Sequence, residues 1–195
     1  MKIAIIDYGA GNVQSVQFSL ARLGYESFIS KDAETIKTAD RVIFPGVGEA
    51  GSATQKLNES GLNALIPKLE QPVLGICLGM QLMCNFSEES NTKGLGIFDT
   101  DVVRFSTDVK APKVGWNTIY DLKSDLFANI PEQTYQYFVH SYYAPTSAQG
   151  IAKAFYGTEY DVALQKNNFF GVQFHPEKSG AVGEQILSNF LKLKV

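Results

Sequence analysis

Pro72-Val73-Leu74-Gly75-Ile76-Cys77-Leu78-Gly79-Met80-Gln81 is an apolar run that passes directly into a helical pattern. It predicts a buried strand that ends at Ile76, a sharp turn at Cys77 and a helix from Leu78 to Asn85. Such a turn crowds the residues two positions before and after it, and only very small residues such as Gly75 and Gly79 fit there. The turn directs the Cys77 sulfur toward a helix N-terminus, where unpaired N–H groups favour a thiolate.

The two cysteines differ in their sequence settings. Most free cysteines are buried as small hydrophobic side chains, and this interpretation stays open for Cys77 although its glycines favour a nucleophile. Cys84 has no such setting, so we expect it to be buried. The two lie seven residues apart, about 10 Å along a shared helix, which is beyond disulfide reach. Neither has a partner at zinc-ligand spacing, so free thiols in a reducing compartment, the cytoplasm, are predicted.

Short apolar runs alternate with helical patterns in the first half of the chain. Strands are predicted over Lys2–Asp7, Tyr25–Ser30, Arg41–Phe44 and Pro72–Ile76. Helical patterns lie between them, one with Val13, Val16, Leu20 and Leu23 on a shared face and one that runs to about Leu69. This alternation predicts parallel strands with helices on both faces, and ligands in such sheets bind at the carboxyl ends of the strands.

The second half of the chain is richer in strands. They are predicted over Val102–Phe105, Val114–Leu122, Thr134–Tyr143, Ile151–Tyr156, Val162–Gln165 and Phe169–His175. The Asn167-Asn168 turn predicts antiparallel pairing of the last two strands. Ser179–Leu193 is predicted to be an amphipathic helix that buries Ile186, Leu187, Phe190 and Leu191. Since no linker divides the chain, we expect one α/β domain over residues 1–195, with three layers around a central mixed, mostly parallel sheet.

The composition excludes several classes of function. The 195 residues carry a net charge of -3, with 45% hydrophobic and 19% charged residues, as is typical of a globular protein. An acidic chain without a basic cluster is not expected to bind nucleic acid. No apolar run is long enough to span a membrane or to form a signal peptide, so no membrane association is expected.

The base that activates Cys77 has only two candidates, because the chain has two histidines. His175 stands in a predicted strand two residues before Glu177, and residues i and i+2 of a strand share a side. Glu177 can therefore bind one ring nitrogen of His175 while the other faces Cys77. Pro176 is predicted to end this strand. His140 has no acidic residue within two positions, so a structural or substrate-lining role is predicted for it.

Two glycine-containing loops are predicted at the same sheet edge. In Pro45-Gly46-Val47-Gly48, the backbone N–H of Val47 or Gly48 is a candidate second oxyanion donor beside that of Leu78. An ordinary strand-to-helix turn is the alternative interpretation. Tyr8-Gly9-Ala10-Gly11-Asn12 lacks the third glycine and the acidic residue of a dinucleotide fingerprint, so no nucleotide is predicted there. We expect no metal and no cofactor.

A family resemblance rests on several motifs together. Gly75-Ile76-Cys77-Leu78-Gly79-Met80-Gln81 and Phe174-His175-Pro176-Glu177 resemble the class I glutamine amidotransferases. Within that class, four segments resemble the glutaminase subunits of imidazole glycerol phosphate synthase: Asp7–Asn12, Pro45–Gly48, Gly115-Trp116-Asn117 and Phe174–Ser179. The resemblance covers essentially the whole chain. One departure is Lys113-Val114, where the family usually has a histidine followed by an apolar residue.

The resemblance implies a mechanism and a substrate. Cys77 would attack the side-chain carboxamide of glutamine, His175 would protonate the leaving ammonia, and water would hydrolyse the glutamyl thioester that results. Further residues would bind glutamine: Gly46, Gln81, Ser141 and Tyr142.

The resemblance also implies a partner. Ammonia would pass to a (βα)8-barrel cyclase subunit in a heterodimer, which makes imidazole glycerol phosphate and an aminoimidazole carboxamide ribotide for histidine and purine synthesis. Four residues are expected to flank loops where this partner docks: Asn12, Trp116, Tyr137 and Lys178. Core packing is the alternative for Trp116, and solvated surface for Lys178.

Three other functions stay open. The glutaminase of another synthase, such as anthranilate synthase, would not be expected to show both the Asp7–Asn12 and the Gly115-Trp116-Asn117 segments. A cysteine hydrolase of γ-glutamyl peptides would act without an ammonia acceptor. A non-enzymatic binding module is disfavoured because Cys77, His175 and Glu177 are all present.

Overall fold

The computed structural model describes residues 1–9 and 11–194. Ala10, in the predicted glycine turn, and Val195, the last residue of the predicted domain, lie outside the described residues. The strands are β1 (Ile3–Ile6), β2 (Ser27–Ser30), β3 (Arg41–Gly46), β4 (Val73–Cys77), β5 (Phe86–Ser87), β6 (Thr92–Lys93), β7 (Asp101–Arg104), β8 (Lys113–Ile119), β9 (Thr134–His140), β10 (Tyr142–Tyr143), β11 (Gly150–Tyr156), β12 (Thr158–Lys166) and β13 (Phe169–Val172). The α-helices are α1 (Val13–Arg22), α2 (Ala33–Lys37), α3 (Ala50–Ser60), α4 (Leu62–Leu65), α5 (Leu78–Leu82) and α6 (Gly180–Lys192). Short 3₁₀ helices span Ile66–Lys68, Glu89–Asn91, Asp125–Phe127 and Pro176–Lys178.

A seven-stranded sheet in the order β11-β12-β13-β4-β3-β1-β2 forms the centre of the fold. The five strands from β13 to β2 are parallel, and β12 and β11 continue the sheet in antiparallel pairing. This confirms the predicted mixed, mostly parallel sheet and the antiparallel pair around Asn167-Asn168. Residue Gly46 pairs with Cys77, so β3 and β4 end side by side.

Alternating residues of the central strands pack into two separate hydrophobic clusters. Ile3 and Ile5 belong to one cluster, and Ala4 and Ile6 of the same strand belong to the other. Helices α1 and α6 contribute to the first cluster, while α3 and α4 contribute to the second. Because both faces are covered, β1 consists of fully buried apolar residues, as strands of parallel sheets usually do.

The predicted inward face of the last helix is confirmed. Ile186, Leu187, Phe190 and Leu191 of α6 are fully buried. Burial of one large aliphatic side chain contributes about 2 kcal/mol, so this face anchors the helix that follows His175 and Glu177 in the chain.

Several boundaries differ from the sequence prediction. Helix α5 ends at Leu82, and the N–H of Asn85 donates to the distant Thr100 carbonyl oxygen over 2.9 Å instead of continuing the helix. The predicted strand Thr134–Tyr143 is divided at Ser141 into β9, which pairs with β8, and β10, which pairs with β7. The five-residue helix α2 was not predicted; Asp32 caps it by accepting from the backbone of Thr35.

The prediction of a strand over Phe169–His175 was wrong at its end. Strand β13 stops at Val172, and the Pro176–Lys178 segment forms a 3₁₀ helix. Pro176 fits the first turn of that helix, which needs no N–H there. The strand alternation of side chains therefore does not apply between His175 and Glu177.

None of the helices within residues 1–9 and 11–194 has the length and apolar character needed to cross a membrane.

Candidate active site

Cys77 lies on a strained turn between β4 and α5. Its backbone has φ 54° and ψ -111°, in a region that L-residues other than glycine seldom occupy. A Cβ on Gly75 would lie 2.8 Å from the Met80 nitrogen and 2.9 Å from the Gly79 carbonyl carbon, as the predicted crowding requires. A Cβ on Gly79 would collide with the Phe44 carbonyl oxygen, so that glycine is needed mainly for packing against β3.

The Cys77 side chain contributes to the wall of a pocket of about 260 Å³. Although Cys77 is only 6% exposed, it is therefore not enclosed by the core on every side. The wall comprises Val47, Gly48, Cys77, Leu78, Gln81, Glu89, Pro112, Val139, His140, Ser141, Tyr142, His175 and Lys178. Cys84 is fully buried and lines no part of it, in agreement with the structural role predicted for it.

His175 and Glu177 form a buried pair beside Cys77. The Nδ1 atom of His175 lies 2.8 Å from Oε1 of Glu177, and the two side chains are 3% and 2% exposed. The predicted contact between His175 and Glu177 is present, but a 3₁₀ turn forms it and not the predicted strand. The Ser179 hydroxyl donates to the His175 carbonyl oxygen over 2.7 Å, and the His175 N–H donates to Tyr137 O over 2.9 Å. These bonds fix the backbone on both sides of the imidazole.

The protonation of His175 depends on its neighbours. Burial by itself lowers the pKa of His175, but hydrogen bonds and charge interactions with Cys77 and Glu177 outweigh it and raise that pKa to about 10. With Nδ1 bound to Glu177, Nε2 is the ring nitrogen available to the thiol. The arrangement favours an imidazolium next to the sulfur, which is the state that follows proton transfer from a thiol.

The residues that carry the candidate oxyanion donors line the same pocket as the sulfur. Leu78 is the first residue of α5, so its N–H has no acceptor within that helix. Val47 and Gly48 line the same pocket as Cys77, and among the described residues neither N–H donates to another backbone group. Gly48 has φ +100°, which a residue with a side chain would adopt only under strain. Three residues that share the pocket with the sulfur therefore carry N–H groups without backbone acceptors.

The residues predicted to bind glutamine occupy different positions. Gln81, Ser141 and Tyr142 line the pocket. Gly46 does not: it packs against α5, where a Cβ would lie 2.5 Å from the Gly79 nitrogen. The carbonyl oxygen of Ser141 accepts from Phe105 N–H over 3.1 Å, so this oxygen is already bonded within the protein. The Ser141 hydroxyl and N–H remain as possible ligand donors.

His140 is held as a neutral side chain. Its Nδ1 lies 2.8 Å from Tyr142 O, an acceptor, so Nδ1 carries the hydrogen; Nε2 lies 3.4 Å from the Tyr160 hydroxyl. Burial is the main cause that lowers the pKa of His140, to about 4. These contacts agree with the structural or substrate-lining role predicted for this histidine.

Glu89 and Gln173 are polar residues at the site that were not predicted from the sequence. Glu89 lines the pocket from the 3₁₀ helix Glu89–Asn91, and its Oε2 accepts from Ala50 N–H over 2.9 Å. Gln173 is fully buried, and its Nε2 lies 3.7 Å from the Cys77 sulfur. Glu89 has no motif that would mark it. Gln173 stands two residues before His175, a proximity that could have drawn attention to it.

The four predicted interface residues are dispersed around the site. Trp116 and Tyr137 face each other in the middle of β8 and β9, with ring centroids 5.9 Å apart, so the prediction that they flank loops was wrong. Trp116 is 52% exposed, which excludes core packing for it. Asn12 caps α1 by accepting from Ser15 N–H, and the exposed Lys178 lines the pocket. Lys113, at the position where the family usually has a histidine, donates to Trp116 O over 3.3 Å.

No group of three or more His, Cys, Asp or Glu side chains in the described part of the chain is arranged to hold a metal ion.

Comparison with known proteins defines the class. Residues 4–193 match the family Glutamine amidotransferase class-I. A crystal structure of a putative GMP synthase subunit from Thermoplasma acidophilum superposes with a TM-score of 0.76 at 21% identity, covering 98% of this chain and 92% of that one. At this identity the superposition shows the fold alone. The chain belongs to the class I glutamine amidotransferase family.

Relatives within the family are much more similar. The chain is 56% identical to "Imidazole glycerol phosphate synthase subunit HisH" of Bacteroides fragilis (strain YCH46), over 99% of this chain and 100% of that protein. It is 45% identical to the protein of the same name from Escherichia coli (strain K12), with the same coverage. These comparisons confirm the resemblance predicted from the motifs.

Proposed function

We propose that this chain is the glutaminase subunit of imidazole glycerol phosphate synthase. It hydrolyses glutamine to glutamate and ammonia, and the ammonia serves a cyclase subunit in histidine biosynthesis. Full-length relatives at 45% and 56% identity that carry this subunit name support the assignment. Glutaminase subunits of other synthases, such as that of anthranilate synthase, have no comparable support among these relatives.

The observation that carries the chemistry is the junction of Cys77 with the buried His175–Glu177 pair. A thiol on a positive-φ turn and an imidazole line the same pocket, and a buried carboxylate lies against the imidazole. We assign Cys77 as the nucleophile, His175 as the general base and acid, and Glu177 as the group that fixes the His175 tautomer. General acid–base catalysis by such an imidazole contributes about 10²–10⁴-fold to the rate.

The reaction then proceeds in two halves. The thiol proton is transferred to Nε2 of His175 before attack, which gives the imidazolium that the site favours, and the sulfur then attacks the carboxamide carbon of glutamine. His175 returns the proton to the amide nitrogen, the carbon–nitrogen bond breaks, and ammonia leaves a γ-glutamyl thioester on Cys77. Water attacks the thioester while His175 accepts one of its protons. The carbon–sulfur bond breaks, glutamate leaves, and the proton stays on His175 beside the released sulfur.

In both halves the carbonyl oxygen becomes an oxyanion. We assign the Leu78 N–H as one donor and the N–H of Val47 or Gly48 as the other, because these residues line the pocket with Cys77 and their N–H groups have no backbone acceptors. Backbone donors of this kind contribute about 3 kcal/mol each to the stabilisation of a transition state.

The pocket suits a free amino acid. Its volume of about 260 Å³ lies below the range typical of drug-sized ligands. Glu89 provides a carboxylate for an α-ammonium group, and Lys178 provides a cation for an α-carboxylate. Gln81, Ser141 and Tyr142 supply neutral polar groups. Gly46 is assigned to the close packing against α5.

The ammonia acceptor is a (βα)8-barrel cyclase subunit that forms a heterodimer with this chain. The outer face of β8 and β9 supports a protein partner: Val114, Trp116, Tyr135 and Val139 are 56%, 52%, 61% and 36% exposed. Cross-strand pairing places Val114 opposite Val139 and Trp116 opposite Tyr137, which makes the apolar face continuous. Large exposed apolar patches of this kind are typical of protein interfaces. Asn12 and Lys178 complete the proposed surface.

We also propose a cytoplasmic location and a single domain over residues 1–195. The free thiols of Cys77 and Cys84 suit a reducing compartment. Both hydrophobic clusters share the central sheet, which supports one folding unit.

The proposal is tested by ammonia release from glutamine, measured for the chain by itself and for its complex with the cyclase and the cyclase's nucleotide ligand. We expect weak activity alone and stimulation by at least ~10-fold in the complex. C77A should reduce the stimulated rate by at least ~10³-fold, and C84A, at the second buried thiol, should leave it within about threefold. An activity unaffected by the cyclase would instead favour a freestanding hydrolase. Full activity in C77A would refute the assigned nucleophile.

A further inference from the structure

Gln173 contacts Cys77 and has no role in the mechanism above. It is fully buried, and its Nε2 lies 3.7 Å from the sulfur. Its Oε1 accepts from Nε2 of Gln81 over 2.8 Å, and the same Gln81 nitrogen donates to Tyr142 O over 2.9 Å. The two amides thus form one hydrogen-bonded chain from the Tyr142 carbonyl to the nucleophile.

The Tyr142 carbonyl oxygen fixes the orientation of both amides in this series of hydrogen bonds. A carbonyl oxygen only accepts hydrogen bonds, so the NH₂ group of Gln81 must face Tyr142 O. The second hydrogen of that NH₂ group then points at Gln173, which must present its oxygen. The NH₂ group of Gln173 is left to face the sulfur, so neither amide can flip without placing two like groups together.

The sulfur has an opposing contact as well. The Cys77 thiol lies 3.6 Å from the Val139 carbonyl oxygen, to which it donates in its neutral form. That carbonyl favours the thiol, because it would repel a thiolate. An N–H group directed at the sulfur favours the thiolate, because hydrogen bonds to charged acceptors are roughly twice as strong as neutral ones.

We propose that Gln173 is a further catalytic residue, which donates a hydrogen bond to the Cys77 thiolate and is held in the donating orientation by Gln81. It offsets the Val139 carbonyl and holds the sulfur in place for attack. The contribution of Gln173 to turnover rests on the proposed function. The effect of its hydrogen bond on the Cys77 thiol does not depend on glutamine being the substrate. Gln81 is then a positioning residue as well as a pocket residue, with only its Oε1 free to accept from a ligand.

The test is the pH dependence of Cys77 alkylation by iodoacetamide in the full-length protein, followed on the Cys77 peptide by mass spectrometry. Gln173→Met keeps the length of the side chain but removes the donor. We expect it to move the midpoint of the alkylation profile upward by about one pH unit. Gln173→Glu should move it further, since a carboxylate repels the thiolate. Gln81→Met, which leaves Gln173 in place but free to flip, should give a smaller shift in the same direction.

Gln136→Met is the matched control. Gln136 is also fully buried, and neither polar atom of its side chain has a hydrogen-bond partner in the described structure. The same chemical change there should leave the alkylation midpoint unchanged. If Gln173→Met does not fold, as judged by circular dichroism, the Gln173→Glu and Gln81→Met profiles decide. Unchanged midpoints in the folded variants at positions 173 and 81 would overturn the proposal.

Glutaminase kinetics separate this proposal from the proposed function. With the cyclase present, Gln173→Met should lower kcat by about tenfold and change KM by less than about threefold. If wild-type protein released no ammonia from glutamine while the alkylation shifts occurred, the proposed function would fail and the role of Gln173 on the thiol would stand.

Discussion

Nδ1 of His175 lies 2.8 Å from Oε1 of Glu177, in a pair whose side chains are both at least 97% buried. The second carboxylate oxygen, Oε2, has no hydrogen-bond partner among the described residues. The carboxylate therefore interacts with one strong donor, the imidazole. Removal of either member would leave a buried polar group unpaired, which costs about 1–3 kcal/mol or more for a charged group.

The pKa values of the two histidines should lie on opposite sides of 6.5, the ordinary pKa of a histidine side chain. Burial lowers the pKa of His140 to about 4, whereas Cys77 and Glu177 overcome burial and raise the pKa of His175 to about 10. NMR of the two imidazole Cε1 signals should show one transition near each value. A transition near 6.5 for either histidine would contradict the environments described here.

These titrations also give the sign of the pH dependence of stability. Between pH 6.5 and about 4 the unfolded chain binds more protons at His140, so stability falls as acid is added. Between pH 6.5 and about 10 the folded chain binds more protons at His175, so stability falls as pH rises. Urea unfolding should show that E177Q flattens the alkaline slope and leaves the acidic slope unchanged. An unchanged alkaline slope would contradict the assigned pair.

E177Q should also impair catalysis, because a neutral amide cannot stabilise the imidazolium. We expect a loss of about 10²-fold in kcat for ammonia release by the complex, with little change in KM. Glu184→Gln is the control: Glu184 pairs with Arg22 over 2.7 Å at the surface, where an ion pair contributes ~0–1 kcal/mol. Equal effects of the two substitutions would argue against a catalytic role for Glu177.

Gly79→Ala should destabilise the protein through crowding. A Cβ at position 79 would collide with the Phe44 carbonyl oxygen, and neither backbone segment can move freely in a packed core. The expected loss is about 3 kcal/mol in urea unfolding. Gly24→Ala is a control that separates the effect of crowding from that of backbone strain. Gly24 has φ +81°, and no atom lies within 4 Å of the added Cβ. The loss of stability in Gly24→Ala should therefore be about 1 kcal/mol. If Gly79→Ala lost no more stability than Gly24→Ala, the result would contradict the close packing of Gly79 against Phe44.

The β8–β9 face should bind the cyclase. Trp116→Ala should weaken the complex by at least ~10-fold in calorimetry while leaving the melting temperature within about 2 °C, because Trp116 is 52% exposed. Ile29→Ala, which removes another exposed apolar side chain from the edge strand β2, should leave affinity unchanged. Unchanged affinity in Trp116→Ala would place the interface elsewhere.

The sequence carried enough information for the central sheet and for Cys77. Strand β4 is a continuous apolar run, and the glycines around Cys77 mark a turn that few other residues could form. The 3₁₀ turn at His175 could not be predicted from a strand pattern, since Pro176 is compatible with both interpretations. The division of Thr134–Tyr143 depends on the partners of β9 and β10, which lie far away in the chain. Glu89 enters the pocket through tertiary packing alone.

The central claim, that Cys77 is the nucleophile toward glutamine, is tested most directly by labelling with a chloroketone analogue of glutamine. Peptide mass spectrometry should find the label on Cys77, with glutamine protecting it, and none on the fully buried Cys84. Labelling should be lost in C77A and slowed in E177Q. Glutamine-protected labelling at any other residue, or labelling of Cys77 that glutamine does not prevent, would contradict the account.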